Sequence, residues 1–182
     1  MNPLLAGRLC VTLDTARLTL EPIQAHHAAE FFPALQDERL YQWISMERPP
    51  SAAWLAGHWG KVATTRMAPD SQTAWPSWAV RRRADGVCLG RVDAEIDDSL
   101  KAINFGYYFF PPWWGMGYAT EAVDAAVAHL EGQGVHRLVA TVTEGNTASA
   151  RVLQKAGFVF NRLLVGNDTI RGALHDDEEY VR

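Results

Sequence analysis

The stretch that most constrains this chain runs from Ala102 to Gly134. "AINFGYYFF" reads as a strand that stops at Pro111, "PPWWGMG" turns the chain, and a helix follows from about Tyr118 to Glu131. In that helix Ala119, Ala122, Val123, Ala126, Val127 and Leu130 recur at the spacing of one apolar face. Gly132 and Gly134 end it, and "RLVATVT" is a compact buried strand. Strand, loop, helix and strand in this order predict a parallel crossover from residues 103–109 to 137–143.

The remaining segments build layers around that unit. "ARLTLEPI" is a short first strand ending at Pro22, and residues 24–44 read as helix in two pieces, with Pro33 comfortable only at a helix start. Ser51 caps a helix through "AAWLAGHWGKVATTR". "SWAVRR" and "VCLGRVDAEI" are strands joined by the turn signal "RADG". "NTASARVLQKAG" is a short helix with Asn146 as cap and Gly157 as stop, "FVFNRLLV" is a further strand, and "EEYVR" a candidate last one. The expected fold class is α+β (mixed α/β), one domain over residues 1–182 around a largely antiparallel sheet.

Composition narrows the function classes. Hydrophobic residues make up 48% and charged residues 21%, the balance of a soluble protein with a core. No run approaches the ~20 apolar residues of a membrane span. The N-terminus lacks a basic lead and long apolar run, so no signal peptide is expected. Two cysteines make no disulfide framework, and a reducing cytoplasm is the default. A net charge of -4 speaks against nucleic acid as partner, and Arg81-Arg82-Arg83 reads as a solvated hairpin edge. The six histidines show no ligand spacing, so no metal is expected. Trp43, Trp54, Trp59, Trp75 and Trp78 suggest an aromatic-lined cleft as well as core.

A glycine-rich loop between a strand and a helix suits an anion. The first helical N–H groups lack internal acceptors and carry partial positive charge, and Gly115 and Gly117 let phosphates approach the backbone. A tight turn that needs glycine for its dihedrals alone is the alternative. "GMGYAT" is not a P-loop, since no Gly-Lys-Ser/Thr follows. It also fits the dinucleotide fingerprint poorly, with Thr120 in place of the third glycine.

"NFGYYFFPPWWGMGYATEA", the alanine-rich helix, the buried strand and "NTASARVLQKAGF" together resemble the GNAT superfamily of acyl-CoA-dependent N-acetyltransferases. Within it they look most like the RimJ/RimL ribosomal-protein branch, as does the opening "TARLTL". The resemblance implies a GNAT-type α/β/α sandwich with a splayed central sheet, and acetyl-CoA as co-substrate without a metal. It implies that backbone from Tyr107 through Tyr108, Phe109 and Phe110 bonds the pantetheine arm. The pyrophosphate would lie over N–H groups of Trp114, Gly115, Met116, Gly117, Tyr118 and Ala119, with Thr120 adding a hydroxyl. Asn146 would contact the pantetheine region, and Ser149 would point toward the thioester.

This chain departs from relatives at three positions. Met116 stands where a basic residue is common, which makes Arg151 a candidate phosphate contact. Leu153 stands where many relatives place a thiolate-protonating tyrosine, which leaves Ser149 as the substitute acid. Asn104 replaces a glutamate of some Rim-like relatives.

Acyl transfer to an amine needs a base, directly or through water. Strand alternation puts Arg91, Asp93 and Glu95 on one face, with Val92, Ala94 and Ile96 on the core side. The carboxylates either line the substrate cleft or meet solvent; as base, Glu95 ranks before Asp93. Tyr107 and Tyr108 point to opposite faces. "HDDEEY" reads as a solvated acidic turn, with reception of a cationic substrate as its rival role. The leading reading is an N-acetyltransferase for a protein N-terminus or a small-molecule amine, acting as a monomer or homodimer. The alternative is a non-catalytic acyl-CoA-binding sensor or scaffold.

Overall fold

Residues 3–68 and 72–182 are described by the computed structural model. In chain order they form α1 (Pro3–Leu9), β1 (Leu13–Asp14), β2 (Leu18–Pro22), α2 (His27–Ala34), a 3-10 turn (Glu38–Gln42), α3 (Ala52–Thr65), β3 (Ser77–Arg82), β4 (Cys88–Ile96) and β5 (Lys101–Phe109). A second 3-10 turn (Pro111–Trp113) precedes α4 (Tyr118–Gly132), β6 (Arg137–Thr143), α5 (Thr147–Lys155), β7 (Val159–Ile170) and β8 (Ala173–Val181). The strands make one sheet ordered β1-β2-β3-β4-β5-β6-β8-β7. Every pairing is antiparallel except β5 with β6, the predicted crossover.

Alternation on the central strands sorts side chains into two cores. Val92, Ala94 and Ile96 of β4 and Trp78 and Val80 of β3 join a cluster under α1, α4 and α5. Ala79 and Cys88 turn the other way, onto Phe31 of α2 and Leu55, Trp59 and Val62 of α3. Helices therefore cover both faces, an α/β/α sandwich, because two apolar sides of a sheet each need a partner layer. Arg91, Asp93 and Glu95 are half-buried, as their place opposite the core residues requires.

Gly90 marks the tightest approach in the sheet. A Cβ there would stand 2.8 Å from the Phe109 Cα and closer still to the Tyr108 carbonyl oxygen. Only hydrogen fits between those backbones.

Three sequence expectations need correction. "HDDEEY" is no solvated turn: residues 175–180 lie in β8, between β6 and β7, and Asp177 and Glu179 are buried. Glu179 is tolerated there because Asn161 and Arg162 bond its carboxylate. Pro33 lies near the end of α2 rather than at a helix start, and the break in residues 24–44 falls after it. The N-terminal stretch, given no element from sequence, supplies α1 and β1.

Candidate active site

The parallel seam between β5 and β6 is short. Lys101 pairs with Arg137 and Ala102 with Leu138, and there the ladder ends. At that point β5 carries a bulge: Glu95 faces Asn104 while Ile96 faces Ala102, leaving Ile103 as the extra residue. From Asn104 onward β5 keeps its pairing with β4, and its other edge is free of β6. A cleft of about 320 Å³ opens in the gap. It is lined by residues 104–108 of β5, residues 140–143 of β6, residues 43–46 and Trp75, with Asn146, Ser149 and Leu153 from α5.

The glycine loop follows the free edge. Gly115 (φ 75°) and Gly117 (φ 77°) adopt left-handed backbone, which L side chains seldom do. Gly117 is the N-cap of α4 and gives no side-chain cap, so the first N–H groups of that helix are left for an outside acceptor. Trp114 and Met116 are exposed. Tyr118, Ala119 and Thr120 are half-buried in the first turn. Phe109 and Phe110 are buried on opposite faces; the Trp114 indole donates to the Phe109 carbonyl, and the Phe110 N–H is taken by Leu89.

A basic recess adjoins this loop, lined by Ala16, Arg17, Arg82, Arg83, Ala84 and Tyr118. Arg17 donates to the Met116 carbonyl at 3.1 Å and lies over the Tyr118 ring at 4.5 Å. Its Nε pairs with Glu121 at 2.6 Å, and Thr15 Oγ1 donates to the same carboxylate at 2.7 Å. Burial pushes the Glu121 carboxyl up, but these donors and the Arg17 charge hold it below its ordinary value. Arg151, the candidate from sequence, is exposed on α5 and lines neither cleft nor recess. Local pattern marks Arg82 and Arg83 only as a solvated hairpin edge and gives no sign that Arg17 folds back beside them.

Inside the cleft, Tyr107 and Ser149 meet. The Tyr107 hydroxyl lies 2.8 Å from Ser149 Oγ and donates to the Ser149 carbonyl at 2.9 Å. Ser149 is held by its own N–H, which donates to Asn146 Oδ1 at 3.2 Å in the α5 cap. Burial raises the Tyr107 hydroxyl above the usual phenol range, against a smaller lowering by Ser149. Leu153 is fully buried in the core cluster. Tyr108 also lines the cleft, and its buried hydroxyl has no hydrogen-bond partner among the described residues.

The two candidate bases part company. Asp93 lines the cleft, with Trp75 Nε1 donating to its Oδ2 at 2.9 Å and Arg91 paired at 3.3 Å. Glu95 accepts from Thr73 Oγ1 at 2.8 Å and is not among the cleft-lining residues. Of the early tryptophans, Trp43 and Trp75 line the cleft, Trp59 and Trp78 are core, and Trp54 is exposed.

Comparison with known proteins decides what frame this is. Residues 17–159 match the acetyltransferase (GNAT) domain model. The chain belongs to the GNAT acetyltransferase family. Acetyl transfer is thus its activity. This GNAT chain is 24% identical over 148 residues to an uncharacterized N-acetyltransferase, YoaA, of Bacillus subtilis, covering 80% of this chain and 81% of that one. Its fold is similar to that of RimL, a ribosomal L7/L12 alpha-N-protein acetyltransferase solved with coenzyme A. There the TM-score is 0.82 at 16% identity, over 94% of this chain and 97% of that one. The ribosomal-protein-S5-alanine acetyltransferase of Vibrio fischeri gives 0.81 at 18%, over 94% and 96%. These likenesses show a shared overall fold.

Proposed function

We propose that this acetyltransferase moves the acetyl group of acetyl-coenzyme A to a primary amine, by direct attack within a ternary complex. The observation that carries the reading is the Tyr107–Ser149 hydroxyl pair in the open seam, together with an α4 start that no side chain caps. Acetyl-coenzyme A supplies the activated acyl group when bound.

The chain's own atoms suit that co-substrate. The free edge of β5 from Asn104 offers unpaired backbone groups to a pantetheine arm. The N–H groups at Gly117, Tyr118 and Ala119 have no side-chain cap and would hold a pyrophosphate. Arg17, Arg82 and Arg83 supply the positive charge that Met116 lacks. Support also comes from RimL, whose structure was solved with coenzyme A.

Within this site Ser149 Oγ holds the proton that a departing thiolate needs, and Tyr107 Oη holds Ser149 in place. A phenol kept protonated by burial suits this role. Asp93 takes the base role ahead of Glu95, because it is the one that lines the cleft. Its Oδ2 is fixed by Trp75, which leaves Oδ1 to steer a water against the acceptor nitrogen. The acceptor is a small amine or the first residue of a peptide, either of which suits a cleft of about 320 Å³. Two buried free cysteines, with the Cys88 thiol pushed up to about 12 by burial, fit work in a reducing cytoplasm.

The test is release of free thiol from acetyl-coenzyme A with a mixed panel of amines and peptides. Release above the uncatalysed background is expected. Tight coenzyme binding with no release from any acceptor overturns the reading.

A further inference from the structure

The acidic hairpin places a buried carboxylate, Asp177, in the cleft with one oxygen that no described residue bonds. Asp177 is 3% exposed and lines the same cleft as Ser149. Asn167 Nδ2 donates to its Oδ2 at 2.7 Å, while Oδ1 is buried with no hydrogen-bond partner among the described residues. A carboxylate oxygen withdrawn from water and left unbonded is costly, and buried carboxylates are ordinarily paired.

The backbone is arranged to put it there. Asp177 stands opposite Thr143 of β6 on one side and Leu164 of β7 on the other. Just beyond that pair, β7 makes a wide bulge, so that Asp168 next faces His175. Bulges re-aim side chains. This one sets the Asn167 amide on Asp177 and brings Asp168 into the cleft lining. Four charged side chains line the cleft, and two of them, Arg91 and Asp93, pair with each other. Asp168 and Asp177 remain as negative charge without a cationic partner among the described residues. Trp43, Ile44, Met46 and Phe105 give the same cleft an apolar wall.

We propose that the acceptor carries a second positive charge, and that this non-reacting cation docks on Asp177 Oδ1 with Asp168 beside it. The inference rests on the transferase reading above and names its substrate class: a primary amine joined by a short aliphatic stem to a further cation. The stem lies on the Trp43 wall. Asp177 does not hold the reacting nitrogen, because a carboxylate fixed on an ammonium favours the protonated, unreactive form. A free diamine and a peptide N-terminus with a basic neighbour share this chemistry.

Steady-state rates of thiol release with putrescine, butylamine and γ-aminobutyrate test the charge at constant stem length. Peptides beginning Ala-Lys and Ala-Glu form the second arm, and the arm that responds identifies the source. In the unmodified enzyme the dication of the responding arm is favoured in kcat/KM over its neutral or anionic counterparts. Asp177→Asn removes that preference, about 30-fold or more, chiefly through KM, as loss of a buried charge partner does. Asp168→Asn reduces it less and guards against misfolding of the first variant. Equal use of putrescine and butylamine, together with equal use of the two peptides, overturns the proposal. So does a fall in kcat with Asp177→Asn that shifts the pH–rate profile alike for all acceptors, since Asp177 is then the base. A thermal shift with acetyl-coenzyme A is read in parallel. Coenzyme binding and butylamine turnover without charge preference sink this inference alone, whereas no thiol release from any acceptor sinks the transferase reading as well.

Discussion

Tyr107 and Ser149 touch hydroxyl to hydroxyl at 2.8 Å, one from β5 and the other from α5, in the gap where β5 and β6 part. Among the described residues neither hydroxyl has another side-chain partner, so each is the other's orienting group. Ser149→Ala is expected to lower kcat by about 100-fold, the low end of general acid–base effects, with little change in coenzyme affinity. Tyr107→Phe should cost less, because it leaves the proton-bearing Oγ in place. Single-turnover and steady-state assays separate these from binding defects. A Ser149→Ala enzyme with wild-type kcat removes Ser149 as the acid.

The proposed phosphate site is the glycine loop together with the basic recess. Gly117→Asp combines strain at φ 77° with a carboxylate against the phosphates, so coenzyme affinity should fall sharply while the fold survives. Calorimetry checks this, and unchanged affinity would mean that the loop is a turn and nothing more.

Arg83 offers the cleaner test of the recess. It donates to the Thr15 carbonyl at 2.8 Å and makes no carboxylate pair among the described residues, unlike Arg17 and Arg82. Arg83→Ala should weaken coenzyme binding about 10-fold, the worth of one charge-assisted hydrogen bond, and flatten its salt dependence. Dephospho-coenzyme A reveals which phosphate is served: equal losses for both ligands point to the pyrophosphate.

Stability is most exposed at Gly90. Gly90→Ala drives a methyl into the Tyr108 carbonyl and the Phe109 Cα, both backbone atoms that cannot rotate away. Overpacking of this kind costs about 1–3 kcal/mol or more, and here it strikes the strand that forms one cleft wall. Urea unfolding should show a lower midpoint, and coenzyme affinity should drop with it. A midpoint equal to wild type contradicts the close approach.

Acid should destabilise the protein through His27. This buried ring accepts from the Gln24 N–H at 3.0 Å and lies 2.9 Å from Glu21, an arrangement that suits the neutral Nε2–H form. Burial lowers its pKa below the ordinary 6.5, although the Glu21 bond opposes this. The unfolded chain then binds a proton that the folded one refuses. Stability is complete above about pH 6.5 and falls as pH drops toward the folded value. Thermal midpoints from pH 8 to 5 should decline over that window, and His27→Gln should flatten the slope; an unchanged slope assigns the loss to carboxylates.

How much of this was legible in the sequence depended on whether local pattern or distant contact decided the matter. The period of β4, the apolar face of α4, the caps at Ser51 and Asn146 and the parallel crossover all follow from local rules, and all were readable. β8 was obscured because its interior positions are acidic, and only long-range partners such as Arg162 make Glu179 tolerable there. The N-terminal α1 and β1 carry too few residues to establish a period. In the site, local pattern places the glycine loop just before α4 and Ser149 early in α5. The Tyr107 partnership, the Trp75 bond that fixes Asp93, and the place of Asp177 each required knowing which strands lie side by side.

Among the described residues, two ladder steps, at Lys101 and Ala102, are all the β-pairing that joins the strands up to β5 with those from β6 onward. A ligand arm laid along the open edge would serve as a borrowed strand, present for part of each catalytic cycle and returned at its end. The sheet would then stiffen and relax with every turnover. Amide exchange in residues 104–109 and 139–143 should record that rhythm, slow with coenzyme bound and fast after its release.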